Sequence, residues 1–353
     1  MMACSMSLEA GVSAMAGRRS AGRWLTVAWL ACCGLSVAWA EDAATAFREA
    51  CARKAADGDS LAIDGGDGRL FLRAELRHLG AGPFWGEAAA KVSRASAAEK
   101  ADPLPAIVDF AGQLQRLGIG LLVVPVPCKA AIYPEAIGGP AAGRLDAADR
   151  EFYALLREKG VDVLDLTDAF LTSKAEPGVP AVYCKTDSHW SPTGCEYAAK
   201  LIRERIGKPA WLEGDPDGFT TTMEQREIVG DLTGGQGKET VPARVVASAD
   251  GRPLEDPKSP VVLMGDSHCL VFHAGGDLHG TGAGLADQLA KELGRPVDVI
   301  GARGSGATPV RKTLARTARA DPAYLPDKKL VIWSFTAREF TESDGWALVK
   351  LVK

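Results

Sequence analysis

The stretch Val261–Cys269, VVLMGDSHC, sets the architecture. Four successive apolar residues, Val261 to Met264, predict a buried strand of the kind found inside parallel sheets. Gly265, Asp266 and Ser267 predict a tight turn at its carboxyl end, where open parallel sheets build their sites. A second stretch supplies what a serine there would need. In Tyr183–Gly194, YCKTDSHWSPTG, Asp187 and His189 stand two residues apart just ahead of a predicted helix. Side chains at i and i+2 of an extended segment point the same way, so the carboxylate can approach the imidazole and fix which nitrogen keeps the proton. A serine hydroxyl is a weak nucleophile until a base takes its proton, and the base must be held in one tautomer by a third group. Ser267, His189 and Asp187 are therefore the candidate nucleophile, base and orienter.

Outward from these stretches, helices are expected over 44–56, 86–100, 109–117, 145–159, 192–206, 284–293 and 309–319. Strands are expected after the Gly/Asp turn of IDGGDGRLFL and at GLLVVPVP, VDVLDL, VDVI and KLVIWSF. Strands separated by helices argue for an α/β fold, a three-layer α/β/α arrangement around a mostly parallel sheet. Residues 207–258, rich in Gly, Pro and charge, read as the least regular part and as an insertion or small subdomain. At 353 residues with 46% hydrophobic and 24% charged, the chain has an ordinary globular composition. A net charge of -4 offers no electrostatic reason to expect nucleic acid or an anionic membrane surface as partner.

Residues 1–40 read as an export signal: Arg18, Arg19 and Arg23 precede an apolar run from Trp24 to Trp39 that closes on Ala38-Trp39-Ala40. Cleavage after Ala40 is expected. The run is shorter than the roughly 20 residues of a spanning helix, which makes an uncleaved anchor the alternative. Residues 41–353 would then form the exported, periplasmic domain. They keep five cysteines, Cys51, Cys128, Cys184, Cys195 and Cys269, in a compartment that permits disulfides. A Cys184–Cys195 bridge around the DSHW loop is one reading, worth about 3 kcal/mol on the chain-entropy model. A zinc site is the poorer one, because no C-x-x-C or H-x-x-x-H spacing occurs.

In order along the chain, DGRLFLRAELRHL, PVPCKAAIYPE, KTDSHWSPTG, LMGDSHCLVF and VIWSFTAREF resemble the AlgJ/AlgX type of alginate O-acetyltransferase, exported proteins with an SGNH-hydrolase-like domain. Asp and His precede Ser here, whereas ordinary SGNH esterases run Ser first, so the layout resembles a circular permutation. The resemblance implies Ser267 as nucleophile, His189 as base and Asp187 as its orienter. It also implies a polysaccharide acceptor and a membrane-bound protein that donates acetyl; no cofactor and no metal are expected. One departure is plain: the chain contains no asparagine, so the Asn donor of the SGNH name is missing. The oxyanion donors expected in its place are the Ser267 amide and the loop Gly301–Ala307, with Gly301 and Gly304 for close backbone approach and Arg303 for charge.

Other residues carry competing readings. Trp190 is either a sugar platform or, preferably, a packing residue that seats the loop. Arg338 either binds acceptor or, preferably, pairs with Glu339. Asp266 is expected to shape the turn, His268 to hydrogen-bond locally, and His273 and His279 to lie on the surface of a Gly-rich loop. A carbohydrate esterase would share the acyl-enzyme and end with water, and a scaffold would only hold polymer. A metallophosphoesterase lacks the G-N-H and the late His-x-His that a two-metal site needs.

Overall fold

The central sheet is explained by two strands that are buried at every position and apolar at nearly all of them. In a computed structural model that describes residues 42–352 except 142, β7 (Val261–Gly265) and β9 (Leu330–Thr336) are buried throughout. Val261, Leu263, Leu330 and Ile332 face one hydrophobic core, while Val262, Met264, Val331, Trp333 and Phe335 face the other. The period-2 alternation of a strand thus becomes a continuous apolar run, because both faces are covered.

In chain order the elements are α1 (42–56), β1 (Ala62–Asp64), β2 (Leu70–Leu72), α2 (Arg73–Ala81), α3 (Ala89–Val92), α4 (Pro103–Arg116), β3 (Gly120–Val126), α5 (Lys129–Ile132), α6 (Ala147–Glu158), β4 (Asp162–Val163), α7 (Thr167–Ala175) and α8 (Pro192–Ile206). There follow β5 (Phe219–Ile228), β6 (Glu239–Ser248), β7, α9 (Leu285–Leu293), β8 (Asp298–Gly301), α10 (Thr308–Ala320), β9 and α11 (Glu339–Glu342). The main sheet has the order β4-β3-β9-β7-β8, and every neighbouring pair is parallel. From β3 the chain runs outward to β4, from β7 it runs outward the other way to β8, and β9 fills the middle. α6 packs into the core on one face and α9 into the core on the other. The carboxyl ends of β3, β9 and β7 therefore flank a topological switch point, the crevice where such sheets place ligands. Pro125 sits within β3 without harm, since β4 pairs only with Leu122 and Val123 and leaves that side of Pro125 unladdered.

Some expectations needed correction. Residues 86–100 do not form one helix; the Ala-rich run breaks into α3 and two single 3-10 turns, with Ser93 and Ser96 in the gap. The stretch after β2 is a helix, α2. Residues 207–258 carry the longest strands among the described residues: β5 and β6 pair antiparallel over 10 residues each. This hairpin buries Ile228, Val241 and Ala243 in the same core as β7. The expected export signal, residues 1–40, lies outside the described residues, among which no helix is long and apolar enough to cross a membrane.

Candidate active site

β7 delivers Ser267 to the sheet's carboxyl edge. Gly265 pairs with Ser334 of β9 and Gly301 of β8, and a Cβ on it would come within 1.6 Å of the Ser334 carbonyl oxygen, so only glycine permits this spacing. Asp266 then shapes the turn. Its Oδ1 accepts from the His268 amide at 2.9 Å and its Oδ2 from the Thr336 amide at 2.8 Å. Ser267 opens a one-turn 3-10 helix, which leaves its amide at the turn's amino end.

The His/Asp loop comes from the opposite direction. Ser191 caps α8, accepting from the Gly194 amide at 3.3 Å, and Pro192 follows at the first helical position. Ahead of the cap, Tyr183 bridges Trp190 and the Ser191 amide donates to the Val182 carbonyl at 2.9 Å, which folds Cys184 to His189 into a closed loop. Asp187 Oδ1 accepts from the His189 amide at 2.9 Å and from His189 Nδ1 at 2.6 Å. His189 Nε2 lies 2.7 Å from Ser267 Oγ. Carboxylate, imidazole and hydroxyl stand in series at hydrogen-bond distance.

Electrostatics follow from that series. Burial alone would raise the Asp187 carboxyl, but hydrogen bonds from His189, His279 and the Asp231 amide hold it far below the usual carboxylate range. Burial would likewise lower the His189 imidazole; the Asp187 hydrogen bond and charge outweigh this and raise it. The imidazole is thus suited to hold a proton once it has taken one. Ligand atoms of Asp187, His189 and Asp231 also lie within 4.8 Å of one another. The Asp187 oxygens and the His189 nitrogens are already engaged by hydrogen bonds within the chain, so this donor set suits a proton relay rather than an open metal site.

Several residues that hold the loop were absent from the sequence reading. Glu239, at the start of β6, accepts from the amides of Lys185 at 2.6 Å and Thr186 at 2.8 Å and from the Thr186 hydroxyl at 2.8 Å. Asp231, in the hairpin connection, accepts from the Ser188 amide at 2.7 Å and hydroxyl at 2.6 Å, and its own amide donates to Asp187 Oδ2 at 2.8 Å. Gly230 lets that connection close in, since a Cβ there would sit 2.1 Å from the Thr186 carbonyl oxygen. The Lys129 ammonium, fully buried, donates to the carbonyls of Leu70, Lys185 and Asp187 at 2.6, 3.0 and 3.0 Å. A signal for Lys129 existed: it is the only charge in VPVPCKAAIYP. Glu239 and Asp231 had none, being single acids in a polar stretch.

Trp190 is fully buried and donates from Nε1 to the His268 carbonyl at 3.0 Å, so it packs the loop and presents no face to a sugar. The His268 ring is buried against the rings of His189 and Trp190, with neither nitrogen hydrogen-bonded among the described residues. Its Nδ1 is 3.3 Å from Asp266 Oδ1 but without hydrogen-bond geometry. Arg338 does not pair with Glu339. Its guanidinium reaches Glu75 Oε1 at 3.3 Å and Thr336 Oγ1 at 3.0 Å, while the buried Glu339 accepts from Ser305 Oγ at 2.7 Å, its carboxyl pushed up to about 7 by burial and by Asp266. Arg303 forms an exposed pair with Asp277, with its charge spent there. The loop that carries Arg303 does begin beside the nucleophile turn: the Ala302 amide donates to the Gly265 carbonyl at 2.9 Å.

Three further expectations are overturned. Cys184 and Cys195 are free buried thiols; Cys184 Sγ turns to the Trp190 carbonyl and Cys195 packs in the core, so backbone bonds rather than a disulfide close the loop. His273 is not a surface residue but lies between Asp287 and Glu255, at 2.8 and 2.5 Å. His279 is not one either; its Nε2 contacts Asp187 Oδ2 at 2.8 Å.

A serine, histidine and aspartate in series at the carboxyl end of a parallel α/β sheet form the arrangement of an acyl-transferring or ester-cleaving serine site. Comparison with known sequences supplies the family: residues 65–337 match the SGNH hydrolase-like domain of acetyltransferase AlgX, and the chain belongs to that family. A probable alginate O-acetylase AlgJ of Pseudomonas syringae pv. tomato is 34% identical over 136 residues, which span 38% of this chain and 34% of that protein. The chain thus matches about a third of that relative's length. Among solved structures, the O-acetyltransferase domain of Pseudomonas putida AlgJ superposes with a TM-score of 0.58 at 23% identity, covering 79% of this chain and 92% of that one. Pseudomonas aeruginosa AlgX gives 0.54 at 19% identity, covering 80% and 63%. These two likenesses establish the fold.

Proposed function

We propose that this chain transfers acetyl groups to hydroxyls of an exported polysaccharide through an acetyl-serine at Ser267. The observation that carries the reading is the Asp187–His189–Ser267 series at 2.6 and 2.7 Å, in a family of acetyltransferases. In the first half-reaction His189 Nε2 takes the Ser267 proton as Oγ attacks the acetyl carbonyl, and returns it to the departing donor group. In the second, a sugar hydroxyl attacks the acetyl-serine, His189 takes that hydroxyl's proton, and Ser267 recovers it on leaving. Asp187 stabilises the imidazolium in both.

The oxyanion that forms in each half needs donors, each worth about 3 kcal/mol. The Ser267 amide is one, and the backbone of the Gly301–Ala307 loop, through Gly301 or Gly304, is the proposed second. Arg303, paired with Asp277, has no part in this. Arg338 keeps a role at the acceptor: one edge of its guanidinium is anchored on Glu75 and Thr336, and its side chain retains 12% exposure. Alginate is the acceptor suggested by the relatives' names. A membrane-bound acetyl-donor protein and a site of action outside the cytoplasm complete the reading.

The test is to supply a small acetyl ester with and without an oligosaccharide. A transferase must shield its acyl-enzyme from water until a hydroxyl is held in position. Slow acetate release alone, faster ester consumption with acceptor, and acetyl found on the sugar by mass spectrometry are expected. Acetate release indifferent to every acceptor offered would identify an esterase.

A further inference from the structure

The Asp187 carboxylate is fully buried and accepts four hydrogen bonds. Oδ1 takes the two from His189; Oδ2 takes the Asp231 amide and His279 Nε2, both at 2.8 Å. Four is the full complement of a carboxylate. Three of the four come from backbone or from the base itself. The fourth is a side chain carried by a loop 92 residues further on.

That loop is built at a conformational cost. Among the described residues only Phe272 and His279 are non-glycine residues with positive φ, at 60° and 67°, and both belong to it. A bulky side chain in the left-handed region is uncommon, and such strain persists only where the surroundings enforce it. The enforcement is visible. The Phe272 amide donates to the Leu278 carbonyl at 2.7 Å, the Gly275 amide to the Gly280 carbonyl at 3.1 Å, and the Phe272 ring packs against the His279 ring at 5.4 Å. From the β5–β6 hairpin, Arg226 Nη1 donates to the carbonyls of His279 and Thr281 at 3.2 and 3.1 Å. Left-handed backbone at position 279 aims the imidazole inward, and the side chain is only 9% exposed.

We infer that His279 is a positioning residue for the acyl-transfer reaction, donating from Nε2 to Asp187 Oδ2 so that Oδ1 stays aimed at the base. The inference rests on the triad reading given above and adds a second histidine to it. Without that donor a buried carboxylate oxygen is left half-satisfied, and the carboxylate can rotate to share its remaining donors. His189 then loses its fixed tautomer and orientation. Because His279 has no contact with Ser267 or with the acyl carbon, its loss should act on turnover and leave substrate binding alone.

Two variants separate this role from simple support of the loop. Asparagine tolerates left-handed backbone but is too short to reach Asp187; glutamine places an N–H near the position of Nε2. With a small acetyl ester as substrate, His279→Asn is expected to lower kcat about 10- to 100-fold with KM unchanged. It should also shift or broaden the low-field proton resonance of His189 Nδ1–H. His279→Gln should recover most of the kcat and the resonance. Wild-type kcat in a folded His279→Asn protein would overturn the inference, as would a His279→Gln protein that melts like wild type yet recovers no turnover. Ser267→Ala run alongside distinguishes the two levels: activity in that variant would overturn the triad itself, whereas an inactive Ser267→Ala with a fully active His279→Asn would overturn only the role of His279.

Discussion

The turn that carries Ser267 and the loop that carries Asp187 and His189 meet at 2.7 Å, yet they are held by different forces. The turn is an extension of the sheet: Gly265 is laddered to β8 and β9, and the Asp266 carboxylate accepts from the amides of His268 in the turn and Thr336 at the end of β9. The loop is off the sheet, and side-chain charges from elsewhere hold it in place. Asp231, Glu239 and Lys129 reach it across 43, 53 and 58 residues of sequence. Backbone ladders survive most side-chain substitutions; charge clamps do not. The nucleophile's position should therefore be robust and the base's position fragile.

The largest effect comes where the two halves join. Ser267→Ala and His189→Ala should each lower kcat on the order of 10⁴-fold or more, and the double variant should lose no more than the worse single one, because the residues act as one unit. Turnover of a small acetyl ester at matched folded concentration measures this. Losses that multiplied in the double variant would mean that turn and loop act separately.

A smaller effect should separate the two halves. Glu239→Ala removes three hydrogen bonds to the loop from a carboxylate and touches nothing on the nucleophile turn. Bonds to a charged group contribute about 1.5–3 kcal/mol each at most, and the exposed part of this cluster contributes less. A loss of about 1–3 kcal/mol in stability and of about 10- to 100-fold in kcat is expected. Denaturant unfolding and ester turnover check both. If kcat held while stability fell, the loop would keep its geometry without the clamp, and the contrast between the halves would fail.

The same difference explains what could be read from sequence. Strand β7 and the GDS turn were legible because their cause is local: four apolar residues followed by turn formers. Helix α8 was legible to the residue, and the structure shows that its start is local too: Ser191 caps it and Pro192 follows. Asp187 and His189 were legible through their i, i+2 spacing. Their supports were not, because Glu239, Asp231 and His279 act across the fold and show no periodicity. His279 even lay in a Gly-rich run that argues for exposure, and its inward turn depends on a left-handed backbone that the local sequence does not announce. The Cys184–Cys195 pair misled in the opposite direction: closeness in sequence suggested a bridge, while burial gave each thiol its own place in the core.

The smallest effect belongs to the sheet-held half and should spare catalysis. His273, just beyond the nucleophile turn, lies between Asp287 and Glu255; burial would lower its imidazole, but those two carboxylates raise it to about 9. A group with a raised folded value contributes stability that is complete below its unfolded value of about 6.5 and is lost as pH climbs through about 9. The full shift would be worth about 3 kcal/mol, but Glu255 is half-exposed and its share is screened, so about 1–2 kcal/mol is the expected loss. Other groups titrate near that window. Glu339 is raised to about 7, and Lys129, lowered to about 8 chiefly by burial, works in the opposite sense above that pH. The difference between wild type and His273→Gln cancels both, so denaturant midpoints of the two proteins should converge between pH 6 and pH 9.5. Ester turnover per folded molecule should match throughout, because the ladders from β7, Gly265 included, to β8 and β9 do not depend on His273. A turnover gap that opened with the stability gap would show that the nucleophile turn, or the neighbouring loop that carries His279, leans on this clamp.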